Sequence, residues 1–304
     1  MVNILVTEVI HNARQVALLR SQGLIEIDDS TVIEVGVTLR DFSSSTPIRL
    51  GAGSRLSAGS TIFGGVSIGH RTTIGSGSII GGDVTLGDVN LVLEQCVLTG
   101  PLAIGDDNRI GPFASIGQPA QDRSRTQIEN SRGINIGCRN VIREFTTIHQ
   151  PTTRETRIGN DCFLMAYVHI PHDAEIGNFV TITNSCQIAG FTRVHDHATL
   201  GLGVTVHQYS VLGAGVMIGM GLSVVKDVPP YGTLVRGGVR KLNRVGMVRR
   251  GLNDSQIGEL ENWYQANKGV ISASTLEGYS NRWWYADMKS FEEQSTRKRY
   301  APMT

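Results

Sequence analysis

Cysteine is scarce in this chain: Cys96, Cys138, Cys162 and Cys186 are its four thiols, with no CxxC pair among them. That argues against a zinc knuckle and gives little reason to expect disulfides. Neither sign of charge prevails, since 28 basic residues face 27 acidic ones. A net charge of +1 excludes the whole molecule as an electrostatic magnet for nucleic acid or membrane, and any charged partner must be met by a local patch. No run approaches the roughly 18 apolar residues of a membrane span. The opening "MVNILVTEVIHNARQVALLRSQG" carries Glu8, Arg14 and Arg20 inside its apolar pattern, so it reads as neither signal peptide nor anchor. A soluble cytoplasmic protein without a membrane span is the expectation. At 304 residues and 40% hydrophobic content the chain can bury a substantial core without covalent staples.

Aromatics are also few, at 6%, whereas glycine is abundant, with 36 spread through the chain. That combination calls for a search for repeats. From Leu50 an aliphatic residue returns every six positions through Leu56, Ile62, Ile68 and onward to Ile116, twelve hexads without a slip. The phase breaks at "QPAQDRSRTQIENSRG", resumes at Ile136, Ile142 and Ile148, and breaks again at "PTTRETR". It then runs for twelve more from Ile158 to Val224. Ile27, Ile33 and Leu39 fit the spacing upstream. Position two of the hexad is often glycine, as at Gly69, Gly159 and Gly177, which would let the chain turn once per hexad without a steric penalty. Position five is small or β-branched, as at Ser54, Thr72, Cys162 and Val180, and its cysteines read as core fillers.

Three hexads closing a triangular coil of 18 residues would stack position one into a continuous aliphatic interior. The expected fold is mainly β, a parallel β-helix of about ten coils over 27–228. It would be preceded by a helical N-terminal extension, 1–26, and followed by a smaller α-helical domain, 229–304. The latter begins beyond "KDVPPYG", whose prolines and glycine mark a boundary. Inside it "NDSQIGELENWYQANKG" reads as a helix capped by Asp254 or Ser255, with Gly269 just past its end.

The same geometry singles out "FLMAYVHIPHDAEIGN", residues 163–178, where His169, His172 and Asp173 crowd an aliphatic run. His172, Gly190 and Gln208 are spaced by 18 and 18 at position three, so they should stack on one edge of the prism, with His207 beside its top. Imidazole can take a proton from a hydroxyl near neutral pH. A glycine N–H one coil above can donate to a developing oxyanion, and Asp173 can hold the ring.

Several segments in order, "FASIGQPAQD", "NVIREFTTIH", "FLMAYVHIPHD", "AGF", "TVHQYSVLGAGVMIGMG", "DVPPYG" and "VRRGL", resemble the UDP-N-acetylglucosamine O-acyltransferases that open lipid A biosynthesis. The likeness is strongest from Ile110 to Tyr231. The resemblance implies the left-handed sense of the β-helix and a homotrimer with active sites between subunits. It also implies transfer of a 3-hydroxyacyl chain from acyl carrier protein to the sugar 3-hydroxyl, with no cofactor beyond the donor's phosphopantetheine. It assigns His172 as general base, Asp173 as its orienting partner and the Gly190 amide as oxyanion donor. Gln121, Asp122, His169, His207 and Gln208 would line the sugar-nucleotide pocket, and Asn243, Arg249 and Arg250 would reach the nucleotide end. Met220 matches the position that limits acyl-chain length and points to a medium chain, the plain alternative being a core gap-filler. The stretch "RKLNRVGMVRR", with five basic residues in eleven, is either a solvated face or a surface that steers an acidic carrier protein.

Departures from the family pattern stand out. Phe191 replaces the family's usual histidine, Val245 stands where an acidic uridine contact is expected, and "QDRSRTQIENSRG" is longer than the family loop. These favour, as the alternative, an acyltransferase of the same fold acting by O- or N-acylation on a different amino or nucleotide sugar. Two further alternatives are a metalloenzyme like the γ-class carbonic anhydrases, for which no matching histidine set is found, and a non-catalytic β-helix scaffold.

Overall fold

The computed structural model describes residues 6–123, 133–296 and 298–299. Each hexad becomes a short strand and a turn, and the strands stack in parallel on three faces. The first face has 11 strands, the second 10 and the third 12. Register follows the 18-residue coil: Ile74, Val92 and Ile110 align on the third face, and Ile62, Ile80 and Leu98 on the first. Insertions leave at the corners without disturbing this register, so Ile104 still pairs with Ile136 and Ile142 with Leu164. Position one and position five together fill the prism: Leu56, Ile74, Val92, Ile110, Ile142 and Ile182 are buried, as are Ser54, Thr72, Val180 and Cys186. Each fully buried aliphatic side chain contributes about 1.5–3 kcal/mol. Burial pushes the Cys96 and Cys162 thiols up to about 11, and all four cysteines are free.

Glycine at position two has a different cause from the one its conformational freedom suggested. Gly69 and Gly159 do not adopt positive φ. A Cβ on Gly69 would lie 2.4 Å from the Gly87 carbonyl oxygen, and one on Gly159 would lie 2.7 Å from that of Gly177. Close approach of successive coils, not turning, therefore demands glycine there. The left-handed residue that turns the corner is position four, and it is often not glycine: Asp161, Tyr167, Asp173, Phe179 and Phe191 have φ between 56° and 62°. Such a conformation costs of order 1–2 kcal/mol per residue. A ladder of hydrogen bonds between coils offsets it, with position-four N–H groups donating to position-three carbonyls one coil below, as from Phe179 to Asn160 at 2.8 Å.

Both ends differ from the boundaries expected of them. The first strand of the prism is Ile25–Ile27, paired with Ile48–Leu50, and the segment before it is not wholly helical. Strand Val6–Val9 runs antiparallel to the first face ahead of helix α1, Ala13–Ser21, which Asn12 caps. At the other end Val228 bridges Leu212 and Gly232–Val235 pairs in parallel with Met217–Ile218. Gly238–Leu242 then folds back on it. Pro229 and Pro230 interrupt the strand rhythm, but Leu234 returns to the interior and carries the ladder on.

The remainder is helical: α2 Arg244–Arg249, α3 Asp254–Ala266, α4 Ala273–Leu276 and α5 Tyr285–Gln294. Helix α3 is capped by Asn253, not by Asp254 or Ser255, in a reciprocal pair with Gln256. Gly269, left-handed, closes its end by donating to the Tyr264 carbonyl. Trp263, Tyr264, Trp284, Met288 and Phe291 form a second core that also takes in Tyr231.

Candidate active site

His172 follows strand His169–Ile170 at the first corner, where the first face turns into the second. Its Nδ1 lies 2.7 Å from Asp173 Oδ2, and its side chain is 15% exposed while that of Asp173 is wholly buried. The insertion "PTTRETR" supplies the cradle for that carboxylate. Asp173 accepts from the Thr152 N–H and hydroxyl at 3.0 and 2.6 Å, from those of Thr153 at 2.8 and 2.9 Å, and from the Arg154 N–H at 2.7 Å. Burial alone would raise the Asp173 pKa. The His172 ring, the Thr152 hydroxyl and the Arg154 and Thr153 amides outweigh it and hold the carboxyl well below the usual range. A permanently ionised Asp173 fixes a proton on His172 Nδ1 and leaves Nε2 as the acceptor.

One coil above, Gly190 lies against the ring: a Cβ there would be 2.6 Å from His172 Cε1 and 2.8 Å from Nε2. Gly190 matters also through its amide. At the second corner the position-three N–H groups are capped by side chains one coil on, as Asp88 is by Asp106 at 2.7 Å, whereas at the first corner those of His172 and Gly190 are open among the described residues, and Gly190 alone of the two has no side chain of its own over its amide. The Gly190 N–H has no hydrogen-bond partner among the described residues. A donor left unsatisfied beside a base–acid pair is the arrangement an oxyanion needs.

His169 sits beside the pair, its Nδ1 2.8 Å from the Thr147 hydroxyl, and meets buried His149 edge-on at 5.0 Å. Burial first, then repulsion from His149 and His172, lowers His169 to about 4. His149 is lowered too, chiefly by burial. Both rings are thus neutral hydrogen-bonding groups. Exposed His207 and Gln208 stand one coil above Gly190, and exposed Gln121 with half-buried Asp122 leave the same corner two coils below His172. Most of the loop beyond them, 124–132, lies outside the described residues.

The other expected residues lie elsewhere on the chain. Asn243, Arg249 and Arg250 line a groove of about 680 Å³ at the second corner, with Val245 and the stacked pair Phe179–His197. Asn243 is already engaged: it caps α2 through the Gly246 N–H and donates to the Gly215 carbonyl, both at 3.0 Å. Arg250 lies over the Tyr231 ring. Within the basic stretch Arg244 is paired with Glu261 and Asp254. Met220 stands at the third corner, 73% exposed, so it does not fill a core gap. One chain therefore carries the His172–Asp173 pair at one corner, the cationic groove at a second and Met220 at a third.

The sequence reading passed over Thr152, Thr153 and Arg154, since a broken phase shows only that residues are inserted, and it passed over His149. Phe191 does more than lose a polar contact: its ring meets His172 edge-on at 5.4 Å and stacks on Tyr209 at 4.7 Å. Among the described residues no group of three His, Cys, Asp or Glu side chains is placed to hold a metal ion.

Residues 155–190 match the bacterial transferase hexapeptide family (six repeats), and residues 227–273 match domain 2 of UDP N-acetylglucosamine O-acyltransferase. The acyl-[acyl-carrier-protein]–UDP-N-acetylglucosamine O-acyltransferase of Saccharophagus degradans is 44% identical over 196 residues, 62% of this chain and 75% of that protein. The protein of the same name from Gloeothece citriformis is 34% identical over 210 residues, 66% of this chain and 75% of its own. Among solved structures, the UDP-N-acetylglucosamine acyltransferase from Campylobacter jejuni aligns with a TM-score of 0.65 at 26% identity, covering 92% of this chain and all of that one. Fold and sequence agree, and the chain belongs to the acyl-[acyl-carrier-protein]–UDP-N-acetylglucosamine O-acyltransferase family.

Proposed function

We propose that the protein moves a 3-hydroxyacyl chain from acyl carrier protein to the 3-hydroxyl of UDP-N-acetylglucosamine. The observation that carries the chemistry is the pairing of a carboxylate-held His172 with an unsatisfied Gly190 amide one coil away. His172 Nε2 takes the proton of the acceptor hydroxyl, whose oxygen attacks the thioester carbonyl. The Gly190 N–H donates to the oxyanion of the tetrahedral intermediate. Collapse breaks the carbon–sulfur bond, and the imidazolium returns its proton to the departing phosphopantetheine thiol. Asp173 stabilises the imidazolium in between. No cofactor of the chain's own enters these steps.

The spread of the remaining residues over three corners supports a homotrimer. A second copy would bring its cationic groove, or its Met220, to the first corner of its neighbour. Arg240, Lys241 and Arg249 are then the cations offered to an acidic carrier protein, since Arg244 is internally paired. Met220 at the chain-length position favours a medium acyl chain. Free thiols at all four cysteines fit a reducing compartment such as the cytoplasm, and among the described residues no helix is long and apolar enough to cross a membrane.

A second reading, acylation of a different amino or nucleotide sugar, is favoured by Phe191 against the base and by Val245, 62% exposed in the groove. Mass-spectrometric transfer assays with UDP-N-acetylglucosamine and a panel of acyl carrier proteins test the first reading. Product from wild type and none from His172→Ala is expected. A folded protein that acylates only another sugar would replace it with the second.

A further inference from the structure

The ladder that ties coil to coil is stretched at the base. Phe191 N–H reaches the His172 carbonyl at 3.4 Å, whereas the next step, Tyr209 N–H to the Gly190 carbonyl, is 3.0 Å. Arg154 spans this weakened step. Its Nε donates to the Asp173 carbonyl at 2.8 Å and its Nη2 to the Phe191 carbonyl at 3.0 Å, with the guanidinium 5.6 Å from the Phe191 ring centre. One rigid fork therefore holds the carbonyl of the residue after His172 and the carbonyl of the residue after Gly190. The neighbouring cation cannot substitute, because Arg193 is paired with Glu175 at 3.1 Å. Lysine at 154 would offer a point charge without the planar geometry that reaches two carbonyls.

We propose that Arg154 is a positioning residue that sets the distance between the His172 imidazole and the Gly190 amide. The proposal rests on the acyl-transfer reading for its kinetic arm alone. Misplacing a catalytic group by about 1 Å can cost about 100-fold in rate. Arg154→Ala should therefore lower kcat about 10- to 100-fold, with KM for both substrates held within about twofold. Arg154→Lys should fall as far, and added guanidinium should restore part of kcat to Arg154→Ala but none to His172→Ala.

A second readout needs no substrate. The proton between His172 Nδ1 and Asp173, whose heavy atoms are 2.7 Å apart, should give a downfield proton resonance that is lost in His172→Gln, and this signal should shift or vanish in Arg154→Ala and Arg154→Lys. If the alanine variant does not fold, the lysine variant, which keeps the stem and the charge, carries both readouts. A wild type that transfers no acyl group while the resonance still responds to Arg154 would sink the acyl-transfer reading and leave the positioning role standing. An active wild type whose kcat and resonance both survive loss of Arg154 would overturn the positioning role, as would a variant that only melts at a lower temperature.

Discussion

At position 190 a side chain is excluded by the ring of His172, which lies 2.6 Å from where a Cβ would stand. Gly190→Ala keeps the N–H but should displace the imidazole, and a misplacement of about 1 Å can cost about 100-fold in kcat, without loss of fold in circular dichroism. Retained activity would mean that the ring position is not critical to the reaction. Truncating His172 to alanine removes the proposed general base and should cost about 100- to 10,000-fold. The histidines also set a pH dependence. His169 is depressed to about 4 in the folded chain from about 6.5 unfolded, so only the unfolded chain takes up this proton between those values. Stability is thus unaffected above pH 6.5, falls as pH drops toward 4, and then levels. Asp173, depressed below its unfolded value of about 3.9, contributes stability above that value and loses it only at lower pH. Thermal melts of His169→Gln should accordingly be less acid-sensitive than wild type between pH 6.5 and 4, and equal sensitivity would contradict the depressed pKa.

The hexad is legible in sequence because each strand is so short that its interior residue has one place to go. Ile74, Val92 and Ile110 could be assigned to one stack by counting alone, and so could His172, Gly190 and Gln208. Replacing Ile74 by alanine should cost about 2–5 kcal/mol in urea unfolding, since its neighbours above and below cannot collapse into the space. A change below about 1 kcal/mol would mean that the interior is loosely packed. What counting could not reach were contacts made outside the repeat. The cradle of Thr152, Thr153 and Arg154 comes from a segment that simply fails to fit the period. The glycines of position two were visible, but the carbonyls that exclude a Cβ belong to the next coil. At the C-terminal end Pro229 and Pro230 resembled a stop, and Leu234, which resumes the stack on Ile218, falls out of the six-residue phase and so could not be found by counting.

Across the whole molecule, the proposed base at one corner and the cationic groove at another would leave each chain with two incomplete halves. Mixed assemblies provide the test. His172→Ala and Arg249→Ala proteins, each inactive alone, should regain activity when unfolded and refolded together. Random assembly gives about a quarter of sites an intact half from each of two subunits. No recovery from properly assembled mixtures would place both halves of the site on one chain. The exposed Met220 belongs to the same test of assembly: Met220→Gly should shift preference toward longer acyl chains, and an unchanged preference would remove it from the acyl path.

The central claim, a histidine-catalysed acyl transfer, is most directly tested by mass spectrometry of UDP-N-acetylglucosamine incubated with 3-hydroxyacyl carrier proteins of graded length. Wild type should yield a singly O-acylated product with a maximum at medium chain length, and His172→Ala should yield none above background. Equal product from the folded His172→Ala protein would contradict the account.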